Sequence, residues 1–140
     1  MMSYRTTLKE AVKFHGHLGP YLVLGLLAGA LALKKLKCKK YFALDVKVFG
    51  ANKKPKSCLI DGLQLSTGAT YGKGNIRKLN NPVIKIKFRN RINNKTITLK
   101  FKDSLVQKLN KVKTHRNSEV LARKLYMEDY SELFNLESSI

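Results

Sequence analysis

Between Leu18 and Leu33 the chain runs for sixteen residues without a charge, and Gly19-Pro20 interrupts the backbone at the start of that run. Proline is accommodated in the first turn of a helix, where its missing N–H would have no partner in any case. The run therefore predicts a helix through Leu33, apolar all round, with Gly25 and Gly29 as small packing positions. A basic cluster, "KKLKCKK", follows it, as it would follow a membrane anchor. A span needs ~20 residues, however, and this one is short and contains a proline and two glycines. The expectation is a buried core helix, with no membrane among the partners. A chain of 140 residues can bury such a helix in a single domain, 1–140, without help from disulfides.

The rest of the core follows from periodicity. Residues 4 to 14 place Leu8, Ala11, Val12 and Phe14 among polar residues as an amphipathic helix start, with Thr6 or Thr7 as cap and Glu10 near the favourable end. "ALDVKVF", 43 to 49, alternates as a strand with one buried face. Ser57 is placed to cap "CLIDGLQLST", and Gly68 to end it. "PVIKIKF" and "KTITLKF" alternate strictly and read as a hairpin through "NRINN", with Ile84, Ile86, Phe88, Ile97, Leu99 and Phe101 inward. Asp103 or Ser104 would cap a short helix to about Lys111, and Ser118 a longer one, followed by an acidic helical end. The predicted class is α+β with a mixed or antiparallel sheet, a buried apolar helix and C-terminal helices.

The outward faces of the predicted hairpin carry Lys85, Lys87, Arg89 and Lys100, and the chain as a whole has a formal charge of +19. Its acidic residues crowd the end, beyond Ser118. Such a field attracts polyanions, anionic ligands or acidic partners and says little about fold. Lysine outnumbers arginine 22 to 6, which favours a diffuse solvated field over planar bidentate recognition. The two cysteines, Cys38 and Cys58, are too few for a disulfide scaffold, and no cleavable signal opens the sequence; both point to a reducing, cytoplasmic setting.

Two constellations could carry chemistry. His15 and His17 are two apart, so a regular helix would separate them, whereas a helix break lets them converge. Cys58 at the start of its predicted helix gains thiolate character from the N-terminal dipole. Asp61, one turn on, shares its face and could ligate a metal, act as a base or orient an imidazole. Imidazole, thiolate and carboxylate are ligand types that zinc accepts. The second constellation is "STGATYGKGN", 66 to 75. It fails as a P-loop, because three residues separate Gly68 from Gly72 and Gly74 stands where the metal-binding hydroxyl belongs. It can still turn backbone N–H groups toward an anion, with Lys73 adding charge.

"FHGHLGPYLVLGLLAG", "SCLIDGLQLSTGATYGKGNI" and "ARKLYMEDYSELFNLE" resemble, in order, segments of the formylmethanofuran dehydrogenase E-subunit family. The resemblance covers essentially the whole chain and is to the family's core domain, without the cysteine-rich zinc module that longer members append. It implies an α-β-α-β(3) core and a bound metal, zinc or another divalent transition metal, on His17 and Cys58, with His15 as a further candidate and Asp61, a ligand candidate by its own chemistry, lining the same cleft. By the same resemblance Gln64 would line the cleft, and Thr67, Gly68, Lys73 and Asn75 would form its wall. This chain has Gly19 and Ala69 where many members have cysteine, so the implied site is sparse.

These observations favour a metal-binding protein of the E-subunit type, accessory to or derived from the dehydrogenase, with a cleft for a small anionic ligand. A second copy of the chain and a larger enzyme complex are the partners it implies. Two alternatives stand beside it: a basic protein binding nucleic acid without sequence specificity, and an enzyme with Cys58 as nucleophile.

Overall fold

The computed structural model describes residues 6–139. Helix α1 (Leu8–His15) begins at a reciprocal cap: Glu10 N–H donates to Thr7 Oγ1 while the Glu10 carboxylate accepts from Thr7 N–H. Thr7, of the two threonines, is therefore the cap, and positions 4 and 5 of the predicted helix lie outside the described residues. Helix α2 (Pro20–Leu36) follows with Pro20 in its first turn and nearly every side chain to Ala32 buried. Among the described residues no helix is long and apolar enough to cross a membrane.

Strand β1 (Leu44–Phe49) leads to α3 (Cys58–Thr67), then to β2 (Ile76–Leu79), β3 (Lys85–Asn90) and β4 (Thr96–Phe101). Helices α4 (Asp103–Lys111), α5 (His115–Tyr126) and the single turn α6 (Tyr130–Leu133) precede a last strand, β5 (Phe134–Ser139). The five strands form one mixed sheet in the order β2-β1-β3-β4-β5, with β1 and β2 parallel and the remaining pairs antiparallel. The run α2-β1-α3-β2-β3-β4 reproduces the expected α-β-α-β(3) order. Leu44, Val46, Val48, Ile86, Phe88, Ile97 and Leu99 form the buried face of the sheet, in one core with α2.

Where α2 crosses α3 there are no side chains between the backbones. A Cβ on Gly25 would overlap the Leu59 carbonyl, and one on Gly62 would overlap that of Leu22. One turn along, Gly29 faces Ser66, whose hydroxyl donates to the Gly25 carbonyl at 3.0 Å. This close approach fixes α3, and with it Cys58 and Asp61, beside α2 and the end of α1.

Several local expectations change. The acidic end is not all helix, because β5 extends the sheet along β4 from Phe101↔Phe134 to Thr96↔Ser139. The short strand β2 pairs parallel with β1 where the sequence suggested only a turn. Ser57 precedes α3 but adopts helical angles and makes no capping hydrogen bond. Helix α5 starts four residues before Glu119, capped by Thr114, whose hydroxyl accepts from Asn117 N–H; Ser118 lies inside it. Asp103 is the first residue of α4, and the preceding Lys102 offers no side-chain cap.

Candidate metal centre and glycine-rich turn

His15 is the last residue of α1, and Gly16 ends the helix at φ +105°, donating its N–H to Val12 O. That positive φ, accessible to glycine without a side-chain penalty, turns the chain between the two histidines. Their rings come to 4.7 Å between centroids, tilted by 35°. The break that makes them converge is thus Gly16 between them; Gly19 and Pro20 then start α2.

His15 Nδ1 donates to Asp61 Oδ2 at 2.6 Å, and Gln64 Nε2 reaches the other carboxylate oxygen at 3.5 Å. With Nδ1 so engaged, Nε2 is the remaining nitrogen of His15, and it is buried without a hydrogen-bond partner among the described residues. His17 is exposed at the rim. Its desolvation, then the neighbouring His15 and His115, hold its pKa below the ordinary histidine value, with Glu119 opposing and Lys54 adding to the fall. The neutral ring is favoured there. His115, the first residue of α5, lies 6.0 Å from His17 between centroids and holds Glu119 through Nε2 at 3.2 Å. Sequence reasoning did not find this third histidine, because its approach depends on where α5 packs, and nothing local to "THRNSE" signals it.

Cys58 opens α3, one turn before Asp61. Burial first and the Asp61 charge second raise its thiol pKa, against a smaller lowering from Lys54. The direction is opposite to that expected of a thiolate activated at a helix start, because the thiol is partly buried beside a carboxylate. His15 thus contacts both His17 and Asp61, and Cys58 lies close enough to Asp61 to feel its charge. Among the described residues no three His, Cys, Asp or Glu side chains already stand where they would share a metal ion.

The glycine-rich turn is held by hydrogen bonds within itself and to the chain around it. The buried Asn75 donates through Nδ2 to Tyr41 O at 2.7 Å and Leu44 O at 3.2 Å, and its Oδ1 accepts from Thr70 N–H at 3.0 Å. Thr67 is fully buried; its hydroxyl donates to Leu63 O and accepts from Ala69 N–H. Gly68 caps α3 at φ +75° against Tyr41. Gln64 bridges the turn and the histidine cluster, since its Oε1 accepts from Tyr71 N–H while its Nε2 reaches Asp61. Lys73 is exposed and bonds Thr70 Oγ1 at 3.2 Å. Gln64, Gly68 and Lys73 also line one open hollow of about 490 Å³, together with Thr70, Tyr41 and Lys40.

A family model described as FmdE, molybdenum formylmethanofuran dehydrogenase operon, matches residues 14–138. The chain belongs to the FmdE family. The matched span includes this chain's three histidines, Cys58, Asp61 and the glycine-rich turn. A crystal structure of a tungsten formylmethanofuran dehydrogenase FmdE-like protein from Syntrophus aciditrophicus has the same fold, with a TM-score of 0.65 at 22% identity over 99% of this chain and 77% of that one. A probable S-adenosyl-L-methionine-binding protein from Archaeoglobus fulgidus is 33% identical over 70 residues, 49% of this chain. The aligned segment spans 19% of that relative's length.

Proposed function

We propose that this chain is a formylmethanofuran dehydrogenase-related subunit that binds one divalent transition metal, zinc foremost, through His15, His17 and Cys58. The observation that carries this reading is the His15 imidazole. Its Nε2 is buried and unpartnered while Nδ1 is committed to Asp61. A buried polar atom left without a partner costs about 1–3 kcal/mol, and a carboxylate behind an imidazole is the usual support of a metal-ligating histidine. Asp61 then acts as the residue that orients His15. His17, neutral at physiological pH and beside His15, offers the second nitrogen.

Cys58 supplies the third donor once its proton leaves, since thiols ligate as thiolates. No three of these side chains share a position for the ion as they stand. Binding therefore draws at least one of them inward. Zinc held by three protein ligands keeps a position open for a further ligand and polarises what occupies it. Gln64 and the turn from Thr67 to Asn75 would border that position, and the cationic surface favours a small anion there.

Elemental analysis of the protein purified after zinc saturation and desalting tests this directly. About one zinc per chain is expected, falling below one tenth in His15→Ala and Cys58→Ala, with circular dichroism confirming that each variant is folded. A zinc-free native chain, or equal zinc in the native chain and both variants, would overturn the assignment.

A further inference from the structure

The open face of the sheet carries a feature that the histidine cluster does not use. Register places Lys47 of β1 directly between Arg77 of β2 and Lys87 of β3. Like charges directly opposite one another on neighbouring strands oppose pairing. All three side chains are exposed, and none forms an ion pair among the described residues. Together with Arg89, Gly74 and Asn75 they line a cleft of about 310 Å³. Its one carboxylate, Asp45, is already paired with Arg89 and lies 3.7 Å from Arg91. The cleft therefore presents unbalanced positive charge across three strands, about 10 Å at the usual strand spacing.

The two loops that lead into the parallel strands β1 and β2, at the Gly74 end of this cleft, carry exposed aromatic residues. Phe42 is 72% exposed and Tyr71 90% exposed, with Tyr41 beside them at 54%. Lys73 Nζ lies 5.6 Å from the Phe42 ring centre and 5.8 Å from that of Tyr41. Asn75, in the wall of the cationic cleft, donates through Nδ2 to Tyr41 O, and Arg91 Nη1 donates to Phe42 O.

From this juxtaposition we infer that the open sheet face binds single-stranded nucleic acid, with phosphates over Lys47, Arg77 and Lys87 and bases stacked on Phe42 and Tyr71. A cationic groove leading to exposed rings is the combination that holds single strands, since every base has a face to stack. A duplex keeps its bases inside, and an acidic protein surface would complement the charges while leaving the rings without a role. Lys47, Arg77 and Lys87 lie outside the histidine cluster, whereas Tyr71 meets it through Gln64.

Fluorescence anisotropy of the full chain with a labelled twenty-nucleotide oligouridylate tests the inference. Lys47→Ala with Lys87→Ala is expected to weaken binding at least tenfold and to reduce the salt slope by about 1.4, the loss of two single-strand phosphate contacts. Lys108→Ala with Lys111→Ala, on exposed positions of α4, removes the same net charge and should weaken binding less than threefold. Phe42→Ala and Tyr71→Ala should each weaken it at least fivefold at unchanged salt slope. Equal losses for the two lysine pairs would reduce the effect to the general field and overturn the site. Tighter binding to a duplex of equal length, effective competition by polyglutamate at matched charge, or no loss on removing either ring would also overturn it.

Discussion

His15 Nδ1 and Asp61 Oδ2 are 2.6 Å apart, a contact that joins the end of α1 to the first turn of α3 across 46 positions of sequence. It leaves His15 Nε2 as the nitrogen free to meet an ion. Asp61→Asn keeps an oxygen able to accept the same hydrogen bond and removes the negative charge behind the ring. Zinc affinity is expected to fall about 10–100-fold, measured by competition with a chromophoric chelator. An unchanged affinity would remove Asp61 from the site.

Gly19 adopts extended angles, φ −143° and ψ 161°, which any residue tolerates. A Cβ there would lie 3.5 Å from His17 Nε2 and 3.8 Å from Ser118 Oγ, both ordinary contacts. Gly19→Cys therefore fits without strain and brings a thiol to the rim of the cluster. Zinc should bind at least tenfold more tightly, because a further soft donor completes a set that zinc prefers. Equal affinity would place the ion away from His17.

The Cys58 thiol is raised by burial and by Asp61, and the Cys38 thiol by burial. A raised pKa means less thiolate near neutral pH than in an exposed cysteine, and thiolate is the reacting species. In metal-free protein at pH 7.5, iodoacetamide should modify both cysteines more slowly than it modifies glutathione, with rates still climbing above pH 9. Rapid, selective labelling of Cys58 at pH 7 would instead revive its role as a nucleophile.

Gly62 meets α2 backbone to backbone, with Gly25 Cα 2.9 Å from where its Cβ would be. Main chain cannot step aside as a flexible side chain can. Gly62→Ala should destabilise the fold by about 3 kcal/mol, lowering Tm by roughly 10 °C. Because α3 carries Cys58 and Asp61, zinc affinity should fall as well; a variant with native Tm would mean that the helices separate at little cost.

The elements legible in the sequence are those whose pattern comes from the core. The apolar α2 and the alternation of β3 and β4 each state their burial directly, whereas the choice between Thr6 and Thr7 as the cap of α1 needed the structure. Strands β2 and β5 carry no such pattern. Of β2 only Ile76 is buried and of β5 only Phe134, so their places rest on backbone pairing with β1 and β4 that no side-chain period records. The helix caps slipped at Ser57 and Ser118 because a hydroxyl near a helix start is common and its hydrogen bond depends on local angles. At the candidate site, His15, His17, Cys58 and Asp61 were legible as residue types, while the link that joins His15 to Asp61 depends on how the end of α1 meets α3. His115 and the aromatic margin of the sheet face came into view only with tertiary structure.

Gly16 carries a consequence of a different kind. Nothing lies within 4 Å of where its Cβ would stand, so size is not what excludes a larger residue. Its φ of +105° belongs to the conformational territory of a mirror-image amino acid. The facing of the two imidazoles is therefore set by handedness at one achiral residue. A D-alanine introduced there by chemical synthesis would suit the turn, whereas its L enantiomer would pull the rings apart.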